Sequence, residues 1–224
     1  MIKYYLIFCT ALVFLLMPPA YSASNDLGLW SPIYTTFPIK NKFLGYLEIN
    51  PRLGNNITDF SQLLTRPAVG YKITDNFSIW QGYAWVTNHI GGFRNENRIF
   101  QQFLLNNYLK YVDLTHRLRI EERFIENTGS TAVRLRYMLR SIFPFGKLKK
   151  WAWVIYDELF VNATSVANGP ESGIDQNRLF VGINRKFNER INADLGYQLQ
   201  YINEKSPVED KFNHVILINI FANL

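Results

Sequence analysis

Two short stretches of the sequence place charged side chains on every second residue. HRLRIEERF (116–124) and VRLRYMLR (133–140) carry, in order, Arg117, Arg119, Glu121, Arg123, Arg134, Arg136 and Arg140. Guanidinium groups bind carboxylates and other oxyanions through paired hydrogen bonds, so this residue type is suited to ion pairing or anion binding. Because alternate side chains of a strand point to opposite faces, each stretch has one charged and one mostly apolar face. A soluble sandwich would expose the charged face, whereas a membrane barrel would enclose it.

The first 23 residues differ in character from the remainder. Lys3 lies near their start, the apolar run YYLIFCTALVFLLM follows it, and PPAYSA ends the segment. This pattern is typical of a secretory signal peptide, with cleavage predicted between Ala20 and Ala23. The alternative, an uncleaved anchor, would need a longer apolar run. Cys9, the single cysteine, lies inside this run, so the mature chain is predicted to contain no disulfide and no thiol chemistry.

The net charge of the chain is +6, which loss of the signal peptide lowers to +5. An excess this mild in a secreted chain does not predict a nucleic-acid partner. We expect residues 24–224 to form a single domain.

Residues 24–224 contain segments of about ten to fourteen residues with alternating polarity. INADLGYQLQY (191–201) shows it best. The pattern predicts strands near 27–38, 43–52, 60–73, 77–88, 97–111, 115–126, 131–143, 150–163, 176–187, 190–203 and 212–224. Tight turns alternate with longer polar loops, which is the layout of an outer-membrane barrel.

These features predict an all-β fold, a closed antiparallel transmembrane β-barrel of ten to twelve strands in the outer membrane of a Gram-negative cell. Aromatic residues near the predicted strand ends suit the two membrane interfaces: Phe43, Phe77, Trp85, Tyr111, Phe145, Trp151, Phe187 and Tyr201. A sandwich core is the alternative interpretation of these residues. Outer-membrane lipids, and the barrel-assembly machinery during insertion, are the expected partners.

Two observations fit this prediction poorly. Glu122 and Asp157 fall on apolar faces, so each is expected at a rim or beside a register-shifting bulge. Eleven strands are counted where bacterial barrels have an even number. Either the segment LGLWSPIYTTFPI (27–39) lies outside the closed barrel, or one strand is missed.

The order of several motifs is similar to that of a known bacterial family. An early Trp30 is followed by LLTRPAVGYKITDNFSIWQGYAWV, ENRIFQQ, HRLRIEERF, VRLRYMLR, YDELFVN and DQNRLFVGINRKF. Nearly the whole mature chain resembles the family called domain of unknown function 2490, which consists of predicted outer-membrane barrels. The resemblance implies fold and location and brings no activity with it.

The charged residues predicted to face the lumen form one candidate site. They are Glu48, Arg52, Arg66, Arg98, Arg117, Arg119, Glu121, Arg123, Arg134, Arg136, Arg140, Glu158 and Arg178. One hypothesis is a structural salt-bridge network with a structural or surface role. The alternative is a narrow anion-selective pore for small acidic solutes, because rings of arginine select anions. Three scattered histidines give little support to an enzyme, and no catalytic residue, metal site or cofactor is predicted.

Overall fold

The computed structural model describes residues 23–89, 94–204 and 209–224, which contain twelve strands and no helix. The predicted signal peptide lies outside these residues except for the backbone of Ala23. The strands are β1 (Ala23–Trp30), β2 (Ile33–Lys40), β3 (Phe43–Gly54), β4 (Asp59–Lys72), β5 (Phe77–Asn88), β6 (Arg94–Tyr108), β7 (Asp113–Ile125), β8 (Ala132–Phe145), β9 (Trp151–Asn162), β10 (Gly173–Lys186), β11 (Ile191–Ile202) and β12 (Asp210–Asn223).

One sheet contains every strand and closes on itself. From β2 to β12 each strand pairs antiparallel with the next, and β12 then pairs with both β1 and β2. The register along β12 continues from Trp30 opposite Leu217 to Ile33 opposite Ile220. Strands β1 and β2 are therefore one wall strand interrupted at Ser31 and Pro32, and the barrel has eleven positions. The all-β closed barrel predicted from the sequence is confirmed.

The seam between the first and last wall strands is parallel, which corrects the expectation of an antiparallel barrel throughout. Each connection reverses the chain, so the first and the eleventh wall strands run in the same direction and can close only as a parallel pair. Both explanations offered for the odd count were wrong. The segment 27–39 lies in the wall and forms the seam.

The two ends of the barrel differ in their connections. At one end the strands are joined by turns of two to five residues, and at the other by loops of four to ten residues. We call these the short-turn end and the long-loop end. The odd strand number places Ala23 at the long-loop end and Asn223 at the short-turn end. The part of the chain described contains no helix long and apolar enough to cross a membrane.

Apolar side chains cover the outside of the wall. Every strand contributes at least one exposed large apolar residue, including Leu27, Phe37, Leu47, Val69, Ile79, Phe103, Leu118, Tyr137, Trp153, Val181, Leu195 and Ile216. Tyr201 is an exception among the aromatic residues expected at the interfaces. It is 4% exposed, packs against Phe212 and donates a hydrogen bond to Asp210.

The register is continuous through Glu122 and Asp157, so the bulge proposed for them is wrong. Both face outward. Glu122 lies near the long-loop end of β7, in agreement with the rim alternative. Asp157 lies in the middle of β9, where both carboxylate oxygens accept hydrogen bonds of 3.1 Å from the amide nitrogen of Asn177. The amide partly offsets the cost of a carboxylate on an apolar surface.

Inside the barrel, aromatic rings lie flat against inward-facing glycines. A Cβ atom at Gly182 would lie 2.5 Å from Cζ of Phe180, and one at Gly196 would lie 2.7 Å from it. Phe100 occupies the equivalent space over Gly82. These glycines create room for large rings within a narrow wall.

The parallel seam can be tested by cross-linking. Leu29 pairs with Ile216 in the part of the seam that β1 forms, before the interruption at Pro32. In a Leu29→Cys, Ile216→Cys double variant we expect mild oxidation to form an intramolecular disulfide, because paired positions bring Cα atoms within disulfide range. Non-reducing electrophoresis measures the faster-migrating species. Leu29→Cys with Ile220→Cys, four residues out of register, is the matched control. Efficient linkage of the control pair and none of the test pair would contradict the seam.

Candidate functional site

The barrel encloses a cavity of about 990 Å³, a size typical of ligand sites. Twelve of the thirteen charged residues predicted for the lumen line this cavity: Glu48, Arg52, Arg66, Arg98, Arg117, Arg119, Arg123, Arg134, Arg136, Arg140, Glu158 and Arg178. The remaining residue, Glu121, is 1% exposed and lies behind two of these arginines. The structure thus brings the whole set together.

Glu121 and Glu158 are the centre of the charged network. Glu121 receives Nη2 of Arg134 at 2.7 Å and Nη1 of Arg136 at 2.6 Å, one on each carboxylate oxygen. Nη1 of Arg119 lies 3.7 Å from the same carboxylate. The second glutamate, Glu158, holds Arg136 from its other side at 2.7 Å. Arg136 therefore bridges two carboxylates, which is the geometry its planar fork favours.

Other ion pairs cross between strands that are not neighbours. Arg117 on β7 reaches Glu158 on β9 at 2.8 Å, and Arg140 on β8 reaches Asp194 on β11 at 2.7 Å. Such pairs brace the wall over one and two intervening strands. A separate pair, Glu48 with Arg66, links β3 to β4, and the hydroxyl of Tyr46 donates to the same glutamate at 2.8 Å.

The β7–β8 hairpin brings two arginines of the network opposite one another. Only Arg119 and Arg136 are direct cross-strand partners, while Arg134 pairs with Glu121. Like charges facing each other destabilise a sheet. Glu121 lies two residues after Arg119 on the same face of β7. It contacts Arg136 and approaches Arg119, which places one carboxylate between the two guanidiniums.

Aromatic faces are the second kind of partner for the lumen arginines. Phe160 has the guanidinium carbons of Arg134, Arg136 and Arg178 at 5.2, 4.3 and 4.7 Å from its ring centroid. Phe100 has Arg119 at 4.6 Å. The negative face of an aromatic ring attracts a cation, and the attraction strengthens when water is excluded. The rings thus stabilise several guanidiniums that share a carboxylate.

The comparisons with known proteins point to one family. Residues 27–212 match the family described as "Protein of unknown function (DUF2490)". The chain belongs to this family. It is also 31% identical, over 186 residues, to an uncharacterized protein of Methylorubrum extorquens, and the alignment covers 79% of each chain. No solved structure matches the sequence. The resemblance to this family that the motifs indicated is confirmed. The match begins within β1 and ends within β12, so it covers almost the whole barrel wall.

Glu96 and Asp175 are carboxylates of the site that the sequence analysis of this DUF2490 protein missed. Glu96 binds Arg98 at 2.7 Å and Arg123 at 2.5 Å, and its alternation with Arg98 was available as a signal. It was overlooked because β6 was predicted to begin at residue 97. Asp175 was assigned to a loop, but it lies at a β-bulge between Ile174 and Gln176. The bulge redirects its side chain into the lumen, where it binds Arg134 at 2.9 Å.

Positive charge exceeds negative charge within the described lumen. Eleven cationic side chains line the cavity, namely ten arginines and Lys211. Eight carboxylates line it or bind these cations: Asp26, Glu48, Glu96, Glu121, Glu158, Asp175, Asp194 and Glu204. Several of the acids are shared, and Arg52 and Arg178 have no carboxylate oxygen within 4.0 Å among the residues described. The cavity therefore retains an excess of guanidinium charge.

The central role of Glu121 can be tested with an isosteric change. Glu121→Gln removes the charge that binds Arg134 and Arg136 and keeps the volume. We expect it to lower the free energy of unfolding by about 3–5 kcal/mol, since it leaves buried guanidiniums uncompensated. The midpoint of urea unfolding, followed by tryptophan fluorescence, measures the effect. Glu171→Gln, in the exposed loop before β10, is the control. Equal midpoints for the two variants would show that the network does not stabilise the barrel.

Proposed function

We propose that this DUF2490 protein is an outer-membrane β-barrel whose lumen is braced by the arginine–carboxylate network. The observation that carries the proposal is the exposed apolar surface around the whole wall. Trp153, Val69 and Leu195 are 51%, 50% and 59% exposed, and comparable residues lie on every strand. Apolar surface this extensive marks a contact with other proteins or with a membrane, and its continuation around a closed wall favours lipid.

Strand length and polarity support this assignment. Strands β3 to β12 contain 12 to 15 residues, and about 9–11 tilted residues span a bilayer. The charged groups are inside, where Arg119 and Glu121 are each 1% exposed. An arginine facing lipid at the midplane would cost about 2–4 kcal/mol, so the observed orientation is the one a bilayer requires.

The predicted signal peptide supports export, and lipids and the barrel-assembly machinery are then the proposed partners. In this proposal the network serves the wall itself. It links β7 to β9 and β8 to β11 over the intervening strands, so it resists distortion of a narrow barrel. A structural or surface role without catalysis follows as the primary function.

Residue-specific labelling tests the orientation of the wall. We expect single cysteines at Leu118, Leu135 and Leu195 to react with a lipid-soluble reagent in native membranes, because these side chains are 43%, 40% and 59% exposed on the outer face. Arg119→Cys, on the same strand as Leu118 but facing inward, is the matched control. Mass spectrometry after outer-membrane fractionation measures the modification, and electrophoresis with and without boiling tests barrel closure. Recovery as a soluble periplasmic protein would overturn the proposal.

A second candidate function, an anion-selective path, is favoured by the cavity and its excess of guanidinium groups. Arg136 bridges two glutamates, so neutralising it would disturb folding. Arg52 and Arg178 are better probes because neither has an ion pair within the described residues. If the lumen conducts, the reversal potential in a KCl gradient should indicate anion preference, and Arg52→Gln with Arg178→Gln should reduce it. Silent bilayers containing correctly folded protein would reject conduction and leave the structural role in place.

A further inference from the structure

Two arginines from distant parts of the chain both lie over the ring of Trp30. The Cζ atoms of Arg52, on β3, and Arg178, on β10, lie 3.8 and 5.1 Å from the centroid of its ring. The ring is held in place by Val154, Phe180, Val215 and Leu217. All three residues of the group line the 990 Å³ cavity. One fixed aromatic ring is thus a contact of two guanidiniums beside open space.

Some of the hydrogen-bond acceptors beside Arg178 already bind other donors. Its two cross-strand partners are Glu158 and Gln200. The glutamate binds Arg117 and Arg136 through Oε1, and the glutamine side-chain oxygen accepts from Asn213 at 3.1 Å. Nε of Arg178 is buried without a hydrogen-bond partner. Arg52 has one weak contact, Nε to Oδ1 of Asn50 at 3.4 Å.

Unpaired donors predominate elsewhere on the same surface. The buried polar atoms of cavity-lining residues without a partner are Nε of Arg66, Nε of Arg117, Nη1 of Arg119, Nε of Arg178 and Nε2 of Gln198. Each of these five is a donor. Gln198 neighbours Arg178 diagonally on the adjacent strand, facing the same way. The cavity thus presents unpaired hydrogen-bond donors and positive charge, which suit a ligand with acceptor oxygens and negative charge.

From this arrangement we propose that Arg52 and Arg178, which both contact the Trp30 ring, form a binding site for a small phosphate-type oxyanion. The indole face carries only a partial negative charge, which does not neutralise two full positive charges. A tetrahedral oxyanion presents several acceptor oxygens and accepts from both guanidiniums at once. The ligand is a free phosphate ion or the terminal group of a phosphomonoester. The inference goes beyond the proposed function, since binding requires neither conduction nor contact with lipid.

Calorimetric titration of the purified full barrel with sodium phosphate, with sodium chloride at matched ionic strength as reference, tests the site. We expect saturable binding of phosphate and none of chloride. Arg52→Gln and Arg178→Gln should each weaken the affinity by about tenfold, the effect of losing one charge-assisted contact. Arg185→Gln, an equal change of charge on the outer face of β10, should leave it unchanged. A parallel titration with glycerol 3-phosphate separates the two sources, since tighter binding of the ester identifies the monoester and equal binding the free ion.

Two results would overturn the site. One is a wild-type protein without saturable phosphate binding, which decides the matter even if the variants fold poorly. The other is a melting temperature that falls in phosphate-free buffer for Arg178→Gln as far as for Glu121→Gln, because the guanidinium would then be a bracing group. The expected result is a melting temperature for Arg178→Gln no lower than that of the wild type, and a rise with added phosphate that is larger in the wild type and in Arg185→Gln than in Arg178→Gln.

Discussion

The burial of ten guanidinium groups inside a narrow wall is the constraint on which this structure depends. A guanidinium cannot shed its charge, so every one removed from water requires a carboxylate, an aromatic face or a ligand. The barrel uses the first two together. Glu121 serves two arginines directly, and Phe160 has three within 5.2 Å of its ring centroid. The ring of Phe100, a contact of Arg119, in turn needs space, which Gly82 provides in the wall.

The network also explains how so small a barrel keeps an open interior. Ion pairs such as Arg117 with Glu158 and Arg140 with Asp194 extend between strands that do not touch. They hold the side chains near the wall in fixed directions, while the cavity remains between them. A lumen filled with apolar residues would pack as a solid core and would leave no comparable space.

Much of this architecture was predictable because a strand shows its two faces directly in the sequence. The eleven wall strands follow from alternation, and Arg119 and Arg136 were expected in the lumen on that basis alone. The parallel seam that an odd number of strands requires was not predicted, because the count was taken as an error for an even number. Alternation also fails at a bulge, which is why Asp175 was misplaced. The group of Trp30, Arg52 and Arg178 was equally hidden, because only closure of the barrel brings these three residues together.

The interruption of the first strand at Pro32 also affects folding, because it lies on a strand edge that is unpaired until the barrel closes. Trp30 pairs with Leu217, so one edge of the first strand stays unpaired until nearly the whole chain is available, while its other edge pairs with β3. An unpaired strand edge is a template for aggregation, and proline or inward-pointing charge on such an edge discourages it. The first wall strand has both, with Pro32 at its interruption and Asp26 among its inward-facing residues. Pro32, which interrupts the strand in the finished wall, thus protects from aggregation the strand edge that is paired last.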